Sequence, residues 1–360
     1  MTDLALDPRT PVIRLVDRFG PFAPSAPGAG SSPAAPASHP PTVSDAEAWG
    51  YVRALATSHY ENFSVLSSLV PARLRDDFAA VYAFCRWADD LGDETGAGPE
   101  ARARSESLLA WWRTSLGGCH AAARTTDGSG GHSTEAPLGT AHPSHPVYIA
   151  LVQTFRRHPA LELKPFGDLI DAFIQDQRVT RYQTFEQCVD YCSRSADPVG
   201  RIVLQLGGYP NIPANADRYA MSDATCTALQ LINFWQDVRR DLLERDRVYL
   251  PELDTGISAD MLRDWAHRPD DPAARVPYIR AVRGLIDRTA ELFDQGRPLP
   301  AALDPSLAPV VWLFGAGGEA ILRAVEGMGC ATLWSRPRLS RFTKAGLVGR
   351  AYLWARFRKA

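Results

Sequence analysis

No run of eighteen uncharged apolar residues occurs in the 360-residue chain, so its composition predicts no membrane-spanning helix. Charge of one sign is missing too. Lys and Arg total 39 against 41 Asp and Glu, a net charge of −2, which leaves no global field to gather nucleic acid. Cysteine is scarce: Cys85, Cys119, Cys188, Cys192, Cys226 and Cys330 form no CxxC pair and no zinc spacing. They are too few for a disulfide framework, and reduced core thiols in a cytoplasmic protein are the expectation. The start, Met1-Thr2-Asp3-Leu4, lacks the basic stretch and apolar run of a secretory signal. Period-two alternation and a βαβ rhythm are also absent, which excludes sheet-based folds.

What is present is helical periodicity. At 45% hydrophobic and 22% charged residues the chain has globular composition. Ser44 with Glu47 forms a capping box ahead of Trp49, Val52 and Leu55, and Thr184 with Gln187 forms another. Pro71 suits the first turn of a long helix over about 72–94, and a second long helix is expected over about 216–244. Further periodic stretches cover 272–295, 305–327 and 339–355, and Pro198 predicts a kink in the helix that follows Thr184. The expected architecture is an all-α, single-domain helical bundle of about eight or more helices.

Two segments stand apart. Residues 1–43 hold nine of the 28 prolines and read as a disordered Pro/Ala-rich leader. Residues 116–146 are rich in Gly, Ser, Thr and His and read as a long, flexible surface insertion. Its His120, His132, His142 and His145 have metal-ligand chemistry, but no rigid frame fixes them, and biased composition explains them more simply. The helical domain is bounded at 44–350, and 351–360 is read as a basic tail.

The chemistry concentrates in two motifs. In Tyr82–Asp93, Arg86, Asp89 and Asp93 fall within about 60° of one helical face, whereas Asp90 points about 100° away from Asp89. In Asn233–Asp241, the residues Asn233, Asp237 and Asp241 step by four across about 80°. Carboxylates one turn apart repel unless something neutralises them. Hard oxygen donors at this spacing suit Mg²⁺, which keeps waters and takes substrate phosphate oxygens as its other ligands. A solvated acidic face is the plain alternative for either motif alone. Two such motifs across a bundle could clamp a diphosphate between metal ions and promote carbon–oxygen cleavage. Phe234 and Trp235 could stabilise a cation with their ring faces or simply pack in the core.

These motifs resemble the squalene and phytoene synthases, head-to-head prenyl transferases, through YxxCRxxDDxxD at 82–93 and NxxxDxxxD at 233–241. The resemblance extends to Tyr191-Cys192, Pro198-Val199-Gly200 and Arg247-Val248-Tyr249-Leu250-Pro251, covering about 45–350. It implies an isoprenoid synthase fold with a central active-site cavity, and prenyl diphosphate chemistry with Mg²⁺, for which Mn²⁺ could substitute. Within the family, His59-Tyr60-Glu61-Asn62-Phe63-Ser64-Val65, the 191–200 segment and Asn233–Val238 look similar to the bacterial hydroxysqualene synthase branch. Ser64 stands where that branch usually has proline, and Ser193-Arg194-Ser195-Ala196-Asp197 departs from its RRSAN. That branch implies presqualene diphosphate as substrate, water as the second reactant, and NADPH not required. Neighbouring enzymes of squalene and hopanoid synthesis are implied partners. Squalene, presqualene diphosphate or phytoene synthesis from farnesyl or geranylgeranyl diphosphate is the alternative. The family also contains a non-catalytic assembly factor, disfavoured here by the intact carboxylates.

By position, the resemblance makes Asp89, Asp90, Asp93, Asn233, Asp237 and Asp241 the metal-ligand candidates, Asp90 being the weakest. Arg86 is a candidate for bidentate diphosphate contact, with an intrahelical partnership to Asp89 or Asp90 as the alternative. Tyr191 either meets the leaving group or is a core tyrosine. His59, Asn62, Arg181, Tyr182 and Gln236 complete the substrate-binding candidates. Gly315-Ala316-Gly317-Gly318-Glu319-Ala320 fits a dinucleotide fingerprint only superficially, because no βαβ unit surrounds it. Helix packing through small residues explains it better. The last 34 residues carry eight basic and no acidic residues interleaved with aromatics, a pattern suited to weak peripheral contact with an anionic membrane face.

Overall fold

The computed structural model describes residues 6–20, 43–58, 69–96, 98–125 and 145–357, and among them no strand forms. The only bridge among the described residues is an isolated parallel one between Arg181 and Val248. By its internal contacts the chain divides into two compact units: 1–67 with 72–177, and 68–71 with 178–360. Each unit has one central helix that collects its own neighbours, and this gives each its own core.

The first unit begins with α1 (Val12–Phe19), inside the segment expected to be disordered. Val12, Leu15 and Val16 are buried. Together with Phe19 they make the i, i+3, i+4, i+7 stripe of a packed helix. The many prolines lie outside this helix, and composition averaged over the segment hid it. Next come α2 (Asp45–Ser58) and α3 (Arg75–Asp93), the latter entered through a 3-10 turn at Ala72–Leu74. At the start of α2 the expected capping box closes: Ser44 N–H donates to Glu47 Oε2 at 2.8 Å, and Glu47 N–H donates to Ser44 Oγ at 3.3 Å.

Helix α4 (Pro99–Arg124) runs well past the expected start of the insertion, and α5 (Pro146–Arg157) and α6 (Lys164–Asp176) follow. Gly117 and Gly118 masked the end of α4, but Leu116 and Cys119 are buried and Ala121–Ala123 favour helix. Residues 126–144 of the expected insertion, with His132 and His142, lie outside the described residues. His120 packs edge-on to Phe155 at 5.1 Å.

His145 is no loop residue. It caps α5 by accepting the Val147 N–H at 3.2 Å and meets the Trp87 ring edge-on at 4.3 Å. Trp87 stacks on Trp112 at 5.4 Å, and Tyr51 OH accepts the Trp87 indole N–H at 2.9 Å. Burial holds the His145 pKa down to about 3, so this ring is a neutral core side chain.

The second unit contains α7 (Phe185–Ser195), α8 (Asp197–Leu206), α9 (Ala216–Glu244), the short α10 (Glu252–Thr255) and α11 (Ala259–Trp265). It is completed by α12 (Pro272–Gly296), α13 (Ala308–Gly327) and α14 (Arg341–Phe357). Thr184 caps α7 through the Gln187 N–H, whereas the Gln187 side chain accepts from Gln183 N–H rather than completing the reciprocal box. The expected kink at Pro198 is a full break: α7 ends at Ser195, and Pro198 sits in the first turn of α8, where a missing N–H costs nothing. The proposed boundary at 350 falls within α14.

Helix α9 carries the unit, packing against α7, α8, α11, α12 and α13. Trp235 on α9 is fully buried and donates its indole N–H to Thr289 Oγ1 of α12 at 2.9 Å. The glycine-rich middle of α13 follows the same logic. A Cβ on Gly318 would lie 2.5 Å from Leu229 Cδ2 and 2.6 Å from Phe293 Cζ, so this glycine permits close helix contact. Helix α13 is also long and apolar enough to cross a membrane, with mean hydropathy 1.3. Its Val310, Leu313, Leu322 and Val325 are buried within the unit.

Candidate functional site

On α3 of the first unit the helical spacing separates two neighbouring aspartates. Asp89 has a side chain 45% exposed and Asp93 is exposed one turn further on. Asp90 turns inward and is only 4% exposed. Arg86, expected to grip diphosphate, binds Asp90 at both oxygens: Nη2 to Oδ1 at 2.5 Å and Nε to Oδ2 at 3.0 Å. It approaches Asp89 less closely, at 3.6 Å. The intrahelical partnership is therefore the arrangement found, because an i, i+4 register brings the two side chains together. Burial pushes the Asp90 pKa up to about 7 against the pull of Arg86. Asp90 is thus a buried partner of Arg86, and the outward oxygen donors are Asp89 and Asp93.

On α9 of the second unit, Asn233 is exposed, Asp237 half-buried and Asp241 buried. Burial, helped by the neighbouring charge of Asp237, pushes the Asp241 pKa up to about 6, opposed by Arg245, Arg240 and Arg247. Asp237 is held by Arg336, whose Nε and Nη2 reach Oδ1 and Oδ2, the latter at 3.0 Å. Arg336 was visible only as one cation of a basic C-terminal stretch. Nothing local in the pattern linked it to Asp237, 99 positions away.

Other candidates fall elsewhere. Gln236 is buried on a different side of α9 and donates Nε2–H to the Pro337 carbonyl at 2.8 Å, tying down the segment that carries Arg336. Arg181 donates to the Thr180 and Asp246 carbonyls and pairs with the Asp246 carboxylate at 2.6 Å. That bracket holds the turn after α9, where Asp246 adopts φ 51. Gln236 and Arg181 thus each hold a neighbouring segment in place. Tyr182 and Tyr191 are both buried and meet at 5.6 Å. Tyr249 stacks on Tyr182 at 5.3 Å and on Phe234 at 3.7 Å, so four aromatic rings line up beside the carboxylate helix. Phe234 and Trp235 are both buried, Phe234 stacked on Tyr249 and Trp235 stacked on Phe185 at 6.5 Å. His59 and Asn62 lie outside the described residues.

Among the described residues no three His, Cys, Asp or Glu side chains converge on one point. Each helix instead offers a short ladder of oxygen donors: Asp89 and Asp93 on one, Asn233, Asp237 and Asp241 on the other. Donors this few and this hard suit Mg²⁺, which completes its shell with water and phosphate oxygens. They are a poor match for zinc, which takes nitrogen and sulfur.

Comparison with known proteins places this architecture. The squalene synthase HpnC of Alicyclobacillus acidocaldarius superposes with a TM-score of 0.63 at 37% identity, over 78% of this chain and 94% of its own. The fold is that of the helical isoprenoid synthases. The squalene/phytoene synthase family model matches residues 56–343, and the chain belongs to that family. A hydroxysqualene synthase of Rhodopseudomonas palustris is 28% identical over 276 residues, 76% of this chain and 82% of its own length. A phytoene synthase of Arthrospira platensis is likewise 28% identical, over 282 residues, 76% of this chain and 81% of its own.

Proposed function

We propose that the chain is a hydroxysqualene synthase, converting presqualene diphosphate and water to hydroxysqualene and diphosphate. The carbon–oxygen bond to the diphosphate breaks with both electrons leaving on the phosphate oxygen. The carbon skeleton rearranges as a cation, water adds to it, and one proton is lost. No hydride is consumed, so NADPH has no part in the reaction. Conversion of the alcohol to a hydrocarbon then requires a separate reductive enzyme, and such enzymes are the natural neighbours in the pathway.

The observation that carries this reading is the separation of roles along α3. Arg86 and Asp90 neutralise one another, while Asp89 and Asp93 remain on the outward face. Asn233, Asp237 and Asp241 supply the second ladder. Bound Mg²⁺, or Mn²⁺ in its place, would neutralise the developing charge on the departing diphosphate. The stacked Tyr182, Tyr249 and Phe234 rings offer π-faces to a cation and carry no strong nucleophile that would capture it before water. The similarity to the hydroxysqualene synthase of Rhodopseudomonas palustris supports the choice of branch.

The phytoene synthase of Arthrospira platensis matches with equal identity over an equal share of the chain, which favours condensation of two prenyl diphosphates as the second reading. Incubation of the purified protein with Mg²⁺ and presqualene diphosphate, without NADPH, separates the two. A triterpene alcohol supports the first reading. Inertness towards presqualene diphosphate together with consumption of farnesyl or geranylgeranyl diphosphate alone establishes the second.

A further inference from the structure

Helix α14 packs on α13 through one face. Ala351 is buried, Trp354 meets Trp312 of α13 edge-on at 6.0 Å, and the Arg350 guanidinium lies 5.3 Å from the Trp312 ring centre. The opposite face is unusual for a helix directed at water. Phe342, Ala345, Gly346, Gly349 and Leu353 share an arc of about 100°, where a solvated helix carries charge. Phe342 is 91% exposed and Leu353 is 56% exposed. A Cβ on Gly346 or Gly349 would meet nothing within 4 Å among the described residues, so no described neighbour demands these glycines. They leave the arc between Phe342 and Leu353 flat.

Charge selects among the surfaces that could cover this arc. Arg356 lies within it and Arg341 at its margin, both exposed. From Gly327 to the end of the chain there are eight basic residues and no acidic one. A second copy docked through the same face would set these cations against each other. An anionic bilayer satisfies both features at once, because apolar side chains enter the acyl boundary while long basic side chains reach the phosphates.

We propose that the outward face of α14 rests on an anionic lipid surface, with Phe342 and Leu353 inserted and Arg341 and Arg356 at headgroup level. The contact is independent of which prenyl diphosphate the enzyme uses. It would hold the protein beside the phase into which an apolar product partitions.

Flotation of the full-length protein with phosphatidylglycerol-containing vesicles and with pure phosphatidylcholine vesicles tests it. The expected result is at least about ten-fold stronger partitioning onto the anionic vesicles, weakened by salt. Phe342→Ser with Leu353→Ser should reduce that binding by at least about ten-fold, with melting temperature and turnover in detergent unchanged. Should that variant fold poorly, Phe342→Trp provides a second readout: its emission shifts to the blue on anionic vesicles and not on neutral ones. Equal binding by wild type and the double variant overturns the proposal. So does equal binding to both vesicle types, or emission from the Phe342→Trp variant that does not shift with anionic vesicles. Self-association abolished by the double substitution, without vesicle binding, assigns the face to a second copy and equally overturns it.

Discussion

Arg336 and Asp237 form a two-point ion pair across 99 positions of sequence, so the middle donor of the α9 ladder already holds a counter-charge. A cation that binds Asp237 must displace or share that guanidinium. Arg336→Met should therefore tighten Mg²⁺ binding, read as a several-fold lower Mg²⁺ concentration for half-maximal thermal stabilisation. The pair is partly solvated, so its loss should cost only about 0.5–1 kcal/mol of stability without metal. An unchanged Mg²⁺ midpoint would show that Asp237 does not take part in metal binding.

Asp89 and Asp90 are adjacent in sequence but should fail in different ways. Asp89→Ala removes an outward donor, and turnover should fall by about two to three orders of magnitude with the melting temperature nearly unchanged. Asp90→Ala strands the half-buried Arg86 guanidinium and should cost about 1–3 kcal/mol of stability. Parallel turnover and denaturant melts separate the two. Equal destabilisation by both substitutions would contradict the division of roles.

Asp197, at the break between α7 and α8, gives a pH signature. It is buried, accepts a hydrogen bond from Thr227 Oγ1 at 2.8 Å, and has its pKa pushed up to about 7, chiefly by burial. The native state therefore holds a proton that the unfolded chain releases near its ordinary value of 3.8. This group's contribution is fully present below that value and is lost as pH rises towards 7. Asp197→Asn should remove the loss and gain about 1–3 kcal/mol over wild type at pH 8, with little gain at pH 4. Urea melts across this range check it. A gain independent of pH would mean that Asp197 is ionised throughout.

The glycine-rich stretch of α13 admits a paired test. Gly318→Ala places a methyl against Leu229 and Phe293 and should destabilise by about 1–3 kcal/mol. Gly317→Ala meets no atom within 4 Å and should be neutral or stabilising by up to about 1 kcal/mol. Neither should introduce or abolish a dependence on NADPH. A loss of stability at Gly317 matching that at Gly318 would contradict the packing account.

Much of this architecture was legible locally. The bounds of α9, the Ser44–Glu47 cap and the stepping of Asp89 with Asp93 and of Asn233 with Asp237 and Asp241 all follow from a period of 3.6 residues. What was not legible depends on partners distant in sequence. His145 read as part of a polar loop because its tryptophan neighbours sit on α3 and α4. Arg86 drew a substrate role from family resemblance, but its i+4 partner was already in the same motif. Gln236 sits in a motif, yet its register turns it away from the Asp237 ladder towards the Pro337 carbonyl. Helix α1 was lost to an average over prolines that flank it, and the division into two units depends on packing that no local pattern records.

The central claim is that water, not hydride or a second prenyl diphosphate, ends the reaction. Turnover of presqualene diphosphate in ¹⁸O-enriched water, with Mg²⁺ and without NADPH, tests it most directly by mass spectrometry of the extracted product. A triterpene alcohol whose hydroxyl carries the heavy oxygen is the predicted result. An unlabelled alcohol, a hydrocarbon, or untouched presqualene diphosphate beside consumed farnesyl diphosphate would contradict it.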